Sequence, residues 1–536
     1  MFGGPVFAAT TNASSCAIDA VQSAVAAASD GDTINVPAGT CAWNSTFTLA
    51  KGVKIEGAGI GKTIIAGARF TVTTDKAWSV GGFTTSGTAG FNVTGISKLG
   101  RIHHIRFDTV TGFAQNRTIW SSGIGAAGVI DHNQFYRPRS IQIHVRESDG
   151  GNNSWNRPLD LGGPDAWYVE DNTFEQLLSE YNVSTPLDDC DGGGRLVIRH
   201  NNIKLSYTEM HDAIIGGLRS CRKWETYAND FYPDSNANWG QIAIRGGNGV
   251  VFDNTFYSYS SAVPGEILLA LYRTYQTGGS PWGSMCSSNS QKACFGTGSS
   301  LTSCSSDSQC GGKVGSCQEI DGRGSPAGYP CRDQVGTDVG TPQSVVPALF
   351  WNNKYAASVA SYGGRVIVPD IHSGSGYIVS GRDYCAGATK PASCAGKAVH
   401  YQPYTYPHPL AGGTTPPPPP PTCTTPKPAN ETRTTSCPAG TVGSFVQTRT
   451  YSADAYPTCW TPGPWNPADP QPGVCVPDST PVPVATITRG TWDLYRGSTV
   501  VAGYSSEQNC ITAATNLAVT QIYTCRTRTT VNVTLQ

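Results

Sequence analysis

The chain has 536 residues, and its 37 Lys and Arg nearly balance 38 Asp and Glu, for a formal net charge of −1 with only 14% charged residues. That balance offers no basic footprint for nucleic acid or for an anionic membrane surface. With 62 Gly and 36 Pro, and polar positions filled mostly by Asn, Thr, Ser and Gly, the composition favours many short strands joined by turns over long helices.

In chain order, residues 1–15 (MFGGPVFAATTNASS) read either as the tail of a secretory leader, with Phe7-Ala8-Ala9 as its small-residue end, or as a short irregular N-terminus. Ile18, Val21, Val25 and Ala28 then share one face of a short helix. Asp30-Gly31-Asp32 ends it, Thr33–Val36 reads as a strand, and FTL, VKIEG and KTII follow as short alternating strands between glycines. A helix followed by many short strands suits the cap of a solenoid, whose last rung otherwise leaves its edge and core open.

The strongest internal signal is a repeated phrase: HHIRF, DHNQF, EDNTF, RHNNI, YANDF and FDNTF. Aligned on the last residue, Phe107, Phe135, Phe174, Ile203, Phe231 and Phe256 make one column, spaced 28, 39, 29, 28 and 25 residues apart. Two residues earlier, Asn133, Asn172, Asn201, Asn229 and Asn254 make a second, with Ile105 as its exception, and Phe350-Trp351-Asn352-Asn353 is a later copy. A period of this size means a solenoid. Stacked at the ~4.8 Å strand spacing, an aromatic column buries large area at each rung, and an Asn column hydrogen-bonds to itself at a turn whose left-handed backbone Asn tolerates. A further strand column is expected thirteen residues after three of these Asn, at Ile214, Ile242 and Ile267.

On the cap helix, the opening FTLAKGVKIEGAG, the Asn ladder and the Phe column, residues 16–410 resemble the pectin-lyase-like right-handed parallel β-helix superfamily. The closing stretch, SGRDYCAG through YQPYTYPHPL, is similar to a segment of secreted β-helix repeat proteins. The resemblance implies an all-β solenoid acting on, or binding, a polysaccharide along a groove, with calcium assisting β-elimination in its lyases. The chain departs from the family's catalytic patterns. Val129-Ile130-Asp131-His132 echoes the pectate lyase phrase W-I-D-H, yet no R-x-P-x-x-R partner follows, and the N-T-D, D-D and G-H-G set of polygalacturonases is absent.

An insertion over about 274–341 carries six cysteines and is too polar to form a core, so disulfides are expected to staple it. A proline-rich linker spans 411–422, a small cysteine module 423–480, and a second β-rich module 481–536, in which a helix near Glu507–Leu517 would bring Cys510 to Cys525. The phrase ETRTTSCPAGTVGSFVQTRTY resembles repeat modules of bacterial and phage surface proteins. The 18 cysteines fall into local groups without zinc spacing, which points to disulfides in an oxidising, extracellular compartment, though spacing does not settle the pairing.

Several residues are candidates for chemistry. Three carboxylates in LDDCDGGG, Asp188, Asp189 and Asp191, would hold calcium in a flexible loop; the bland reading is a solvated turn beside a disulfide. Arg146, Arg219, Arg245 and Arg273 lie on or beside a strand face that begins at Asp212, near Glu147 and Glu266. Arg219 or Arg245 would serve as base with Asp212 alongside, and Arg146, Glu147, Trp239 and Arg273 would contact substrate; surface ion pairing explains the same residues without chemistry. Trp155, Trp167, Trp239 and Trp282 offer flat sugar-stacking rings or ordinary packing. The column His104, His132, Asp171, His200, Ala228 and Asp253 sits at the shoulder of the repeated turn and reads as structural. Together these features indicate an extracellular β-helix that binds, and as a lyase or hydrolase would depolymerise, a polysaccharide or cell-surface glycan. The alternative is a non-catalytic surface fibre, adhesin or tail-type protein assembled as a trimer or filament.

Overall fold

The computed structural model describes residues 8–176, 185–211, 213, 218–233, 240–258, 265–271, 292–294, 304–312, 317–319, 322, 324–326, 328–340, 343–359, 365–371 and 376–412. In the tail it describes 430–437, 441–442, 444–449, 451–453, 460–462, 476–477, 486–496, 499–504 and 523–532. Residues 1–414 and 415–536 are two compact units.

The first unit is an all-β parallel solenoid whose strands fall into three stacks. One holds Thr33–Val36, Lys54–Gly57, Gly128–Asp131, Trp167–Glu170, Arg195–Arg199, Lys223–Tyr227, Asn248–Phe252, Ala348–Trp351 and Tyr384–Gly387. The second stack is made of shorter strands, Gln134–Tyr136, Thr173–Glu175, Asn202–Lys204, Asp230–Tyr232, Thr255–Phe256 and Lys354–Tyr355. The third runs through Arg117–Ser121, Ile141–Val145, Asp188–Cys190, Ser206–Met210, Ile242–Ile244, Gly265–Ala270 and Arg365–Ile371. Each of these pairings is parallel, and successive rungs therefore place like positions side by side.

The helix Ile18–Ala27 covers the first rungs, burying Val21, Ala24 and Val25. Lys51 Nζ donates to the carbonyls of Val25, Ala26 and Ala28, satisfying its C-terminal end, and the Cys16–Cys41 disulfide ties it down. Inside, Phe107 stacks on Phe135 with centroids 4.8 Å apart and Phe135 on Phe174 at 4.7 Å. Such pairs contribute roughly 0.5–1.5 kcal/mol beyond their burial.

The Asn ladder is continuous from Asn133 through Asn172, Asn201, Asn229 and Asn254 to Asn353, each Nδ2 donating to the next Oδ1 at 2.8–3.1 Å. The left-handed backbone, however, is not at these asparagines. It belongs to the residue before each: His104, His132, Asp171, His200, Ala228, Asp253 and Asn352 all have φ between 50° and 56°. His, Asp and Asn are the residues best suited to that conformation, so the column that carried titratable groups is explained by the turn. The ladder itself uses the extended position, where the amide reaches along the axis.

Two further expectations change. Thr208, not Ile214, pairs with Ile242, which in turn pairs with Ile267; Ile214 lies outside the described residues. Residues 331–340, assigned to the insertion by sequence, pack on the solenoid, with Cys331, Asp333 and Val335 fully buried. Within the insertion, Lys292–Cys294 pairs antiparallel with Cys317–Glu319, stapled by Cys294–Cys310 and Cys304–Cys317. Cys190–Cys221 and Cys385–Cys394 are two further disulfides, Cys331 and Cys437 are disulfide-bonded as well, and no described cysteine is free. Cross-links of this kind persist in oxidising compartments. Among the described residues no helix is long and apolar enough to cross a membrane.

In the tail unit the strands are antiparallel. Glu431–Ser436 pairs with Ser444–Arg449, and Thr486–Arg496 is flanked by Thr499–Tyr504 and Tyr523–Asn532. The runs ATITR and TWDLYR are thus one strand, interrupted between Arg489 and Trp492 by an irregularity in pairing.

Candidate functional site

Strand alternation gives each stack one inward and one outward face. The outward face of the first stack mixes apolar residues, Val129, Tyr168, Val197, Tyr227, Val250, Phe252, Leu349 and Trp351, with the buried charges Asp131, Glu170, Arg199 and Glu225. The segment from Tyr401 to Ala411 lies across it. Tyr401 OH donates to Glu225 Oε2 at 2.7 Å, Arg199 donates to the carbonyls of Tyr404 and Thr405, His408 N donates to Glu170 Oε1, and Arg101 reaches the Ala411 carbonyl. This face is occupied by the chain itself.

The third stack presents a polar cluster instead. Its register sets Trp120 beside His144 and His144 beside Asp189 on successive rungs, all outward. His144 Nδ1 lies 3.3 Å from Asp189 Oδ2, and its Nε2 lies 3.1 Å from Asp191 Oδ1. Burial pulls the His144 imidazole down, but the Asp191 and Asp189 carboxylates outweigh it and push the pKa up to about 9. The same pairing, with Arg117 alongside, holds Asp189 well below the usual carboxylate range against its own burial. Arg117 Nη2 stands 3.3 Å from Asp189 Oδ2, Arg146 Nε 3.6 Å from Asp191 Oδ1, and His211 Nε2 3.9 Å from Asp189 Oδ1. The Arg146 guanidinium sits 5.5 Å from the Trp120 ring, which tilts over His144 at 4.4 Å. His144, Asp189 and Asp191 are buried, whereas Arg117, Arg146 and Trp120 form a partly exposed rim.

Local chemistry explains how Asp191 turns to meet His144. Cys190 is bonded to Cys221, so the strand ends at a fixed point. Beyond it Gly192 and Gly193 take φ of 50° and 77°, and a Cβ on Gly151 would come within 2.4 Å of Gly193 N. The glycine run in LDDCDGGG permits this backbone approach, which is impossible for other residues.

The sequence candidates separate accordingly. Asp189 and Asp191 converge, but Asp188 does not: it pairs with Ile143 in the inward column and is fully buried. There burial, with Asp189 nearby, raises its pKa well above the ordinary Asp value, and its inward column separates it from the other two. Arg146 joins the cluster rim. Arg219 is directed elsewhere, bound to Asp333 through two contacts of 2.7 and 2.5 Å and stacked 4.5 Å from the Trp155 ring. Both arms of the fork are thus taken up by one buried carboxylate, and Arg219 ties the Asp333 segment to the solenoid away from the cluster. Arg245 lies 2.8 Å from Glu209. Glu147 is buried against Arg157 and the Gly125 amide, away from solvent. Asp212, Trp239, Trp282 and Arg273 lie outside the described residues. Trp155 and Trp167 are 1% exposed and serve packing. Sequence reasoning missed His144, Arg117, Trp120 and His211; the alternation in IQIHV exposes His144, but the long rung between Phe135 and Phe174 hides its neighbour.

No family model and no curated protein sequence matches the chain. Among solved structures, an alginate lyase from Paenibacillus sp. str. FPU-7 is similar to it at 14% identity, over 48% of this chain and 89% of that chain, with a TM-score of 0.31. So remote a likeness transfers no activity.

Proposed function

We propose that the protein is an extracellular β-helix that binds an acidic polysaccharide along the outward face of the third stack. The observation that carries this reading is the rim of Arg117, Arg146 and Trp120 above a buried, charge-paired floor. Guanidinium forks suit the carboxylates of uronic acids, and a partly exposed indole suits a sugar face. Arg117 and Trp120 stand on one rung and Arg146 follows the paired strand of the next, so the rim spans two rungs along the axis. The disulfides support an oxidising destination.

Cleavage is the finer form of the reading. β-Elimination needs a cation on the uronate carboxylate and an unprotonated base at the neighbouring carbon. Arg117 and Arg146 would supply the first. His144, its pKa pushed up to about 9, would be an acid rather than the base, so among the described residues the geometry of this face supports binding and supplies no complete elimination step.

The deciding experiment is binding and turnover of the full chain on a panel of acidic and neutral polysaccharides, with calcium and with chelator. Unsaturated-product absorbance and reducing ends are followed together. Tighter binding to acidic polymers is expected, weakened about tenfold or more when Arg117→Ala and Arg146→Ala are combined, since two charge-assisted contacts are lost. Equal affinity for neutral polymers, or no binding by folded protein, would sink the reading and favour a non-catalytic fibre or adhesin.

A further inference from the structure

We propose that His144, Asp189, Asp191 and His211 form a site for one divalent metal ion of the zinc class. The ligand atoms of His144, Asp189 and Asp191 lie within 4.8 Å of one another, and the three residues are 2%, 8% and 5% exposed. They are fixed before any ion arrives. His144 and Asp189 are paired strand positions, Asp191 follows the disulfide-bonded Cys190, and His211 N donates to the Cys190 carbonyl at 2.8 Å on the next rung.

A second observation points into the same space. Asp189 Oδ1 is buried without a hydrogen-bond partner, a state that costs free energy. It faces His211 Nε2 at 3.9 Å. That gap is too long for a hydrogen bond, yet it fits two ligands each held ~2.0–2.2 Å from a shared ion.

The donor set selects the metal. Two imidazoles and two carboxylates suit zinc, and manganese less well. Calcium takes six to eight oxygens, and this set supplies too few. The set keeps Asp189 and Asp191 of LDDCDGGG but adds two imidazoles, which favours a softer ion than calcium. Binding uses the lone pair of one His144 nitrogen, so loading releases to solvent the proton by which that nitrogen bonds a carboxylate. Arg117 and Arg146 orient the two carboxylates from outside. With both guanidiniums counted, the loaded site carries net positive charge at its rim and would take an anionic oxygen as its remaining ligand. The metal site shares Arg117 and Arg146 with the glycan reading, but its test reads metal uptake and not glycan binding, so the two can fail separately.

The test uses untagged full-length protein, stripped with chelator and dialysed against zinc, manganese or calcium chloride. One zinc per chain is expected by elemental analysis, with manganese held at least about tenfold more weakly and calcium not retained. Cobalt(II) in place of zinc should give visible absorption bands that change in His211→Gln. His144→Gln and Asp191→Asn should each weaken zinc by about 100-fold, while the metal-free variants keep the wild-type circular dichroism. If His144→Gln fails to fold, Asp191→Asn and His211→Gln carry the test. No stoichiometric uptake, uptake unchanged in the variants, or preference for calcium over zinc would each overturn the proposal.

Discussion

Substituting Arg199 with alanine is expected to lower the stability of the solenoid by about 3–5 kcal/mol, the cost of stripping one partner from a buried charge pair. Arg199 is 0% exposed. Its Nε donates to Glu170 Oε2 at 2.7 Å, and Nη1 donates to Tyr227 OH at 2.8 Å and to the Tyr404 carbonyl at 2.9 Å. Nη2 reaches the Thr405 carbonyl at 2.8 Å, and the guanidinium lies 4.6 Å from the Tyr168 ring. One side chain thus joins three rungs to the covering segment. Without it the Glu170 carboxylate stays buried with only the His408 amide, and two carbonyls of the covering segment lose their donors. Denaturant midpoints measure the loss, and hydrogen exchange across 401–411 shows whether this segment opens first. Converting both partners, Arg199→Met with Glu170→Leu, should cost less than Arg199→Ala alone, because no buried charge is left unpaired. A loss below about 1 kcal/mol for Arg199→Ala, or a double variant worse than the single, would refute this account.

The repeat columns were legible because they obey a local rule. Asn133 to Asn254 and Phe107 to Phe256 each recur at the same offset from the same turn, and the turn sets their geometry. The cap helix was legible for the same reason, from the spacing of Val21 and Val25. The site was half legible. Asp189 and Asp191 stand out as a carboxylate run, yet period-two alternation separates Asp188 from Asp189 and turns it inward beside Ile143. His144 and Arg117 could not be joined to them by spacing, since the rung that holds His144, between Phe135 and Phe174, contains a longer excursion than its neighbours. Arg219 misled because its partner, Asp333, lies more than a hundred residues away at the far end of the insertion. Likewise the covering segment at Tyr401–Ala411 meets strands roughly 200 residues earlier, and its polar groups carry no periodic mark. Local repetition writes the rungs into the sequence, whereas what lies upon the rungs depends on long-range contacts that no spacing records.

Acid should loosen that same covering segment between pH 6.5 and about 4, through His408. The residue is 5% exposed, packed between the rings of Tyr168 and Tyr404, and its Nδ1 accepts from Leu410 N at 3.2 Å. Burial, and then the Arg199 charge, hold its pKa down to about 4 from an ordinary 6.5. A histidine depressed in the folded state binds its proton more readily when unfolded. Its contribution is therefore fully present above pH 6.5 and is lost as the pH falls toward 4, by up to about 3 kcal/mol. Glu170 works in the opposite sense: burial raises its pKa, so its protonation in acid favours the folded state. The two are separated by His408→Asn, which keeps an acceptor for Leu410 N but does not titrate. Wild type and variant should run parallel above pH 6.5 in denaturant midpoint and in hydrogen exchange at 401–411. Below it the wild type should fall away from the variant by the histidine's share. Curves that stay parallel down to pH 4 would mean that the imidazole is solvated in acid without strain, and that the segment does not depend on its neutrality.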